Sequence, residues 1–130
     1  MLKYLFKKPK PSSSNYKFKL YHSFEKRFSE TLKLKEKHPN SVPVIIEKSD
    51  NSDVPDIDET KFISPSDLTI GQFLIILRKK IKIYQMQALF LFVNNETVPS
   101  TKQTLGELYN KYKDVDGFLY ITYAAENTFG

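Results

Sequence analysis

Residues 69–81 read TIGQFLIILRKKI, and the fold of the chain turns on them. Thr69 and Gln72 stand at the spacing in which each side chain satisfies the other residue's free backbone amide at a helix start. Ile70, Phe73, Leu74, Leu77 and Ile81 then recur at i, i+3, i+4, i+7 and i+11, a sustained apolar face. Arg78, Lys79, Lys80 and Lys82 gather at the far end, where the helix dipole favours cations. Ile75 and Ile76 lie off that face. The helix is therefore either buried on two sides or carries a docking surface on its second side.

Strand signals flank this helix. Residues 42–48, VPVIIEK, are β-branched enough for a strand, with Pro43 marking an edge or a bulge at one end. Lys61-Phe62-Ile63 makes a short second strand ending at Pro65, so the two form a hairpin with a long connection. That connection, SDNSDVPDIDET, is acidic but lacks the glycine and distal glutamate of a calcium loop, and a solvated link is expected. Downstream, Ala88 to Val93 is a continuous apolar run, the pattern of a strand covered on both faces. Asn94-Asn95 signals a turn. Thr104 and Glu107 repeat the capping spacing and open a short helix through Leu105, Leu108 and Tyr112. Asp116-Gly117 breaks the chain, Phe118 to Ala124 forms the last strand, and a mobile tail follows from Ala125.

On the other side, Ser23 can cap a helix running to about Lys37, with Pro39 as its stop. Phe24, Phe28, Thr31 and Leu32 make its stripe, and Leu34 falls off centre. A shorter helix is expected around Tyr16 to Tyr21. The order predicts an α+β fold, with the long helix packed on one mixed sheet.

Composition narrows the function. The 130 residues, 15.2 kDa, suffice for one domain, and 40% apolar with 27% charged residues is globular composition. The absence of cysteine excludes disulfides, cysteine nucleophiles and thiolate metal sites. Two histidines, His22 and His38, are too few for a three-histidine centre. No apolar run approaches the ~18 residues of a membrane span, and the lysine-broken start MLKYLFKKPK predicts no secretory signal. With no nucleophile–base pair, phosphate loop or metal constellation, neither an enzyme nor a cofactor is expected.

The net charge of +5 is uneven: residues 1–40 carry eleven Lys/Arg and three Glu, residues 41–130 nine Lys/Arg and twelve Asp/Glu. The basic front half is either a solvated face with a soluble tail or a surface for an acidic partner. Nucleic acid is not expected, because the lysines lie on a tail and helices rather than among aromatics on a sheet face. Residues 1–15, with four lysines, Pro9, Pro11 and Ser12-Ser13-Ser14, read as a flexible basic extension. Its Leu2, Tyr4, Leu5 and Phe6 could alternatively touch a membrane surface weakly.

Four segments taken together carry a resemblance. VPVIIEK, SPSDLTIGQF, LFLFVNN and DGFLYITYAAENTFG, in this order and spacing, resemble the autophagy ubiquitin-like modifiers, the GABARAP and microtubule-associated protein light-chain relatives. The match runs from about Phe24 to Gly130; Tyr16 to Ser23 match weakly and residues 1–15 lie outside it. It implies a ubiquitin-like β-grasp, a four-stranded mixed sheet with a central helix, preceded by two additional helices. The domain would span 16–125, between the extension and a flexible conjugation tail at 126–130.

The resemblance also implies a function: attachment of the Gly130 carboxylate to the amine of phosphatidylethanolamine, autophagosome growth and recruitment of cargo receptors. The implied partners are an activating enzyme, a conjugating enzyme and a processing and deconjugating cysteine protease. Receptors with aromatic-x-x-aliphatic motifs complete the set. The protein would be cytoplasmic, and on the autophagosome membrane when lipidated. Glycine suits a carboxylate threaded through narrow enzyme channels, having no Cβ. By alignment, an aromatic pocket for receptor peptides maps to Glu30, Leu34, Pro43, Ile45, Lys61, Ile63 and Phe118. An aliphatic pocket maps to Phe62, Ser64, Pro65, Leu68, Phe73 and Ile76. Arg78 and the basic front helix would meet the acidic residues that often precede such motifs. The chain departs from many relatives at Ser41, usually arginine, at Ser64, which makes the aliphatic pocket more polar, and at Glu59, often lysine. The alternative is a non-conjugated adaptor or cytoskeletal linker using the basic front half.

Overall fold

The computed structural model describes residues 16–50, 52, 54–83 and 87–127. The extension 1–15 and residues 128–130 lie outside them. Helices α1 (Lys17–Tyr21) and α2 (Phe24–Lys37) come first, then strands β1 (Ser41–Lys48) and β2 (Lys61–Pro65). Helix α3 (Ile70–Ile81), strand β3 (Gln87–Val93), helix α4 (Leu105–Tyr112) and strand β4 (Leu119–Asn127) complete the order. The sheet runs β2-β1-β4-β3, with β1 and β4 parallel at its centre and an antiparallel partner outside each. This is the β-grasp arrangement with its two preceding helices.

The capping reading holds: Thr69 accepts from the Gln72 amide at 3.2 Å and Gln72 from the Thr69 amide at 2.9 Å. Thr104 and Glu107 do the same for α4. Ile70, Phe73, Leu77 and Ile81 are buried against Val42, Val44, Ile46 and Ile121 of the sheet, while Ile75 and Ile76 stay exposed. The other sheet face holds a smaller cluster, Tyr16, Ile45, Phe118 and Tyr120, closed by Phe18 and Leu34. Pro43 precedes the β1–β4 register, which starts at Val44, so its missing amide leaves that pairing intact.

Four expectations need correction. The α2 stripe of Phe24, Phe28 and Leu32 is exposed; only Thr31 of that set is buried. Polar anchors turn the helix instead: Arg27 Nη1 donates to Asp116 at 2.5 Å and Thr31 Oγ1 to the Asp116 carbonyl at 2.6 Å. Strand β3 is not covered on both faces, because it is an edge strand with Phe90 exposed. The link over 49–60 is not wholly solvated: Val54 and Ile57 are buried in the main core, and Tyr123 donates to the Pro55 carbonyl. Strand β4 outlasts its expected end, since Ala125, Glu126 and Asn127 pair with Leu89, Ala88 and Gln87.

Two consequences can be measured. At Gly117 the backbone has φ of 94°, and an added Cβ would stand 2.3 Å from Thr31 Oγ1. Gly117→Ala is expected to loosen α2 and cost about 3 kcal/mol in urea unfolding; an unchanged midpoint would contradict the close approach. Burial raises the pKa of Tyr16, of Tyr120, which also donates to Asp116, and of Tyr123, the last to about 12. A raised folded pKa means that the unfolded chain loses its proton first. Stability is therefore full below ~10, the free tyrosine value, and falls as the pH climbs from there. An alkaline absorbance titration is expected to show these three ionising only as the fold is lost. Ionisation of all eight tyrosines near ~10 with the fold intact would contradict it.

Candidate functional site

Strand β2 has one neighbour, β1, so its outer backbone edge is unpaired within the sheet. Register decides which side chains surround that edge. Lys61 and Ile63 pair with Ile45 and Pro43, and Phe62 and Ser64 pair with Val44 and Val42. Alternation then puts Lys61 and Ile63 on the α1/α2 face and Phe62 and Ser64 on the α3 face.

On the α1/α2 face, Ile45, Phe118 and Pro43 are buried and form a floor. Leu34 is half-buried against the cluster that contains Ile45 and Phe118, and Ile63 is 39% exposed. Glu30 and Lys61 form an ion pair between α2 and β2 across the top of this recess. The residues expected to line an aromatic pocket therefore lie on one face. Phe18 of α1, which the sequence reading left out, packs edge-on against Phe118 with ring centres 5.2 Å apart. A five-residue helix offers too short a pattern to have marked it.

On the α3 face, Phe62 stands edge-on to buried Phe73, 5.9 Å between centres. Leu68 is half-buried against the same core, and Ile76 is 38% exposed one turn along from Phe73. Ser64 is buried and Pro65 exposed. The residues expected to line an aliphatic pocket thus lie on one face, with Lys80 reaching over the Phe62 ring at 5.8 Å while paired to Glu59 at 3.1 Å. Neither Lys80 nor Glu59 stood in the expected pocket sets, because a pair 21 residues apart leaves no local pattern. Arg78 is half-buried and donates from Nη2 to the Gln87 carbonyl at 3.0 Å, tying α3 to β3. Gly130 lies outside the described residues; the last of these, Asn127, ends β4 beside β3.

The two residue sets flank one strand edge on opposite sheet faces. An extended peptide laid along β2 alternates its side chains in the same way, so anchors at an odd spacing enter different recesses. An aromatic-x-x-aliphatic motif has a spacing of three. Among the described residues no group of acids and histidines could hold a metal ion, and no helix is long and apolar enough to cross a membrane.

Comparison with known proteins points one way. The profile described as "Autophagy protein Atg8 ubiquitin like" matches residues 26–130. Autophagy-related protein 8 of Mycosarcoma maydis is 49% identical over 113 residues, covering 87% of this chain and 95% of its own. Autophagy-related protein 8c of Arabidopsis thaliana is 48% identical over 117 residues, covering 90% and 98%. The crystal structure of Trypanosoma brucei ATG8 superposes with a TM-score of 0.82 at 46% identity, covering 89% of this chain and 99% of that one.

Proposed function

This chain belongs to the Atg8 ubiquitin-like family of autophagy proteins, and on that premise we propose that it is a lipid-conjugated modifier and receptor adaptor. The Gly130 carboxylate is activated by adenylation, passed as a thioester between two enzymes, and transferred to the amine of phosphatidylethanolamine as an amide. All bond-making is supplied in trans, and this chain contributes the carboxylate. A cysteine protease processes the precursor and reverses the conjugation. The protein moves between the cytoplasm and the autophagosome membrane as the lipid is added and removed.

The observation that carries the adaptor half is the free β2 edge with a recess on each face. Receptor peptides pair their backbone with β2, the aromatic anchor entering beside Leu34 and Ile63 and the aliphatic anchor beside Phe62 and Ile76. The β2 residues of the two recesses interleave, but those of the aromatic one, Lys61 and Ile63, begin one residue and end two residues before those of the aliphatic one, Phe62, Ser64 and Pro65. The aromatic residue comes first in the motif, so the peptide runs parallel to β2. Conjugation rests on family membership and on the ending TYAAENTFG. The test is incubation of the chain with activating enzyme, conjugating enzyme, ATP and phosphatidylethanolamine vesicles. A vesicle-bound, phospholipid-bearing chain is expected; a chain that stays free under conditions that conjugate a known family member would overturn the reading.

A further inference from the structure

We propose that the β2 groove selects peptides with basic rather than acidic residues ahead of the aromatic anchor, and that Asp58 and Glu59 make this choice. The inference rests on the peptide-binding reading above and deepens it. A peptide running parallel to β2 places the residues before its aromatic anchor beside the stretch leading into Lys61. Residues 49–60 carry five acids and no base. Asp58 and Glu59 are exposed immediately before the strand, and the Thr60 carbonyl still accepts from the Ile46 amide, so the hairpin holds this stretch in line with the edge.

On β1, on β2 and at the end of α3, cations near this end are already engaged. Lys61 pairs with Glu30, Lys80 with Glu59 at 3.1 Å, and Lys48 with Asp56 at 3.7 Å. Arg78, expected to receive acidic residues, holds the β3 backbone through its guanidinium. Lys79 follows Ile75 by one turn, away from the side of Ile76 and Lys80. Asp58 has no ion-pair partner among the described residues, so its charge is left over. An arriving carboxylate would meet Asp58 and have to compete with Glu59 for Lys80. An arriving lysine or arginine gains both acids. Exposed pairs of this kind are individually weak and screened by salt, so the effect is selectivity rather than bulk affinity.

The test is calorimetric titration of the full chain with two peptides that share one aromatic-x-x-aliphatic core. One carries two lysines before the aromatic residue, the other two aspartates. At low salt the lysine peptide is expected to bind about tenfold tighter, with the gap narrowing at high salt. Asp58→Lys combined with Glu59→Lys is expected to reverse the order while leaving the thermal midpoint within error of the parent. Equal affinities, or tighter binding of the aspartate peptide to the parent chain, would overturn the charge assignment and leave the groove standing. Failure of both peptides to bind would overturn the groove itself, and the inference with it.

Discussion

Gly130→Ala is expected to abolish conjugation to phosphatidylethanolamine, lowering the initial rate by about a hundredfold or more, equivalent to roughly 3 kcal/mol of barrier. Threading a chain end into two successive enzyme sites needs a terminus without a Cβ to obstruct it. The fold should be untouched, because every element among the described residues ends by Asn127. Circular dichroism and the thermal midpoint of the variant are therefore expected to match those of the parent. Conjugation of the alanine chain at the parent rate would remove the reason for placing the reaction at residue 130.

The second large effect belongs to the groove. Ile63→Ala with Ile76→Ala removes one rim residue from each recess. Both are more than a third exposed and stand on opposite faces of the β2 edge. Anchor truncations of this kind cost about 1 to 2 kcal/mol each, so the double change is expected to weaken an aromatic-x-x-aliphatic peptide about a hundredfold. Because neither side chain is core, the unfolding midpoint should hardly move. Phe62→Ala is a poorer probe: its ring packs on Phe73, and losing it would cost stability as well as binding. Calorimetry on the isoleucine double variant giving the parent affinity would place the peptide elsewhere.

Much of the scaffold was legible because its signals are local. The Thr69–Gln72 and Thr104–Glu107 caps, the spacing of Ile70, Phe73, Leu77 and Ile81, and the β-branched run after Pro43 all act within a few residues. What misled was the face of α2. An apolar stripe predicts burial, but here Asp116, 89 residues away, captures Arg27 and rotates the helix onto Thr31 and Leu34. No periodicity encodes that contact. The exposure of β3 was hidden for the same reason, since strand order is a property of the whole sheet.

The site divided along the same line. Leu34 and Ile76 stood out in the sequence as apolar residues off their helical faces, and both border the recesses at β2. The charge pattern did not stand out. Lys61–Glu30 and Lys80–Glu59 join residues 31 and 21 positions apart. Counting charges along the chain therefore did not show that Lys61 and Lys80, beside β2, each face an acid.

The most direct measurement is the intact and fragment mass of the chain recovered from the membrane fraction of cells forming autophagosomes. The expected C-terminal fragment ends at Gly130 and carries one phosphatidylethanolamine less one water, and the adduct disappears in cells making the Gly130→Ala chain. A membrane-recovered chain whose C-terminal fragment has an unmodified carboxylate at residue 130 would contradict conjugation as the basis of its function.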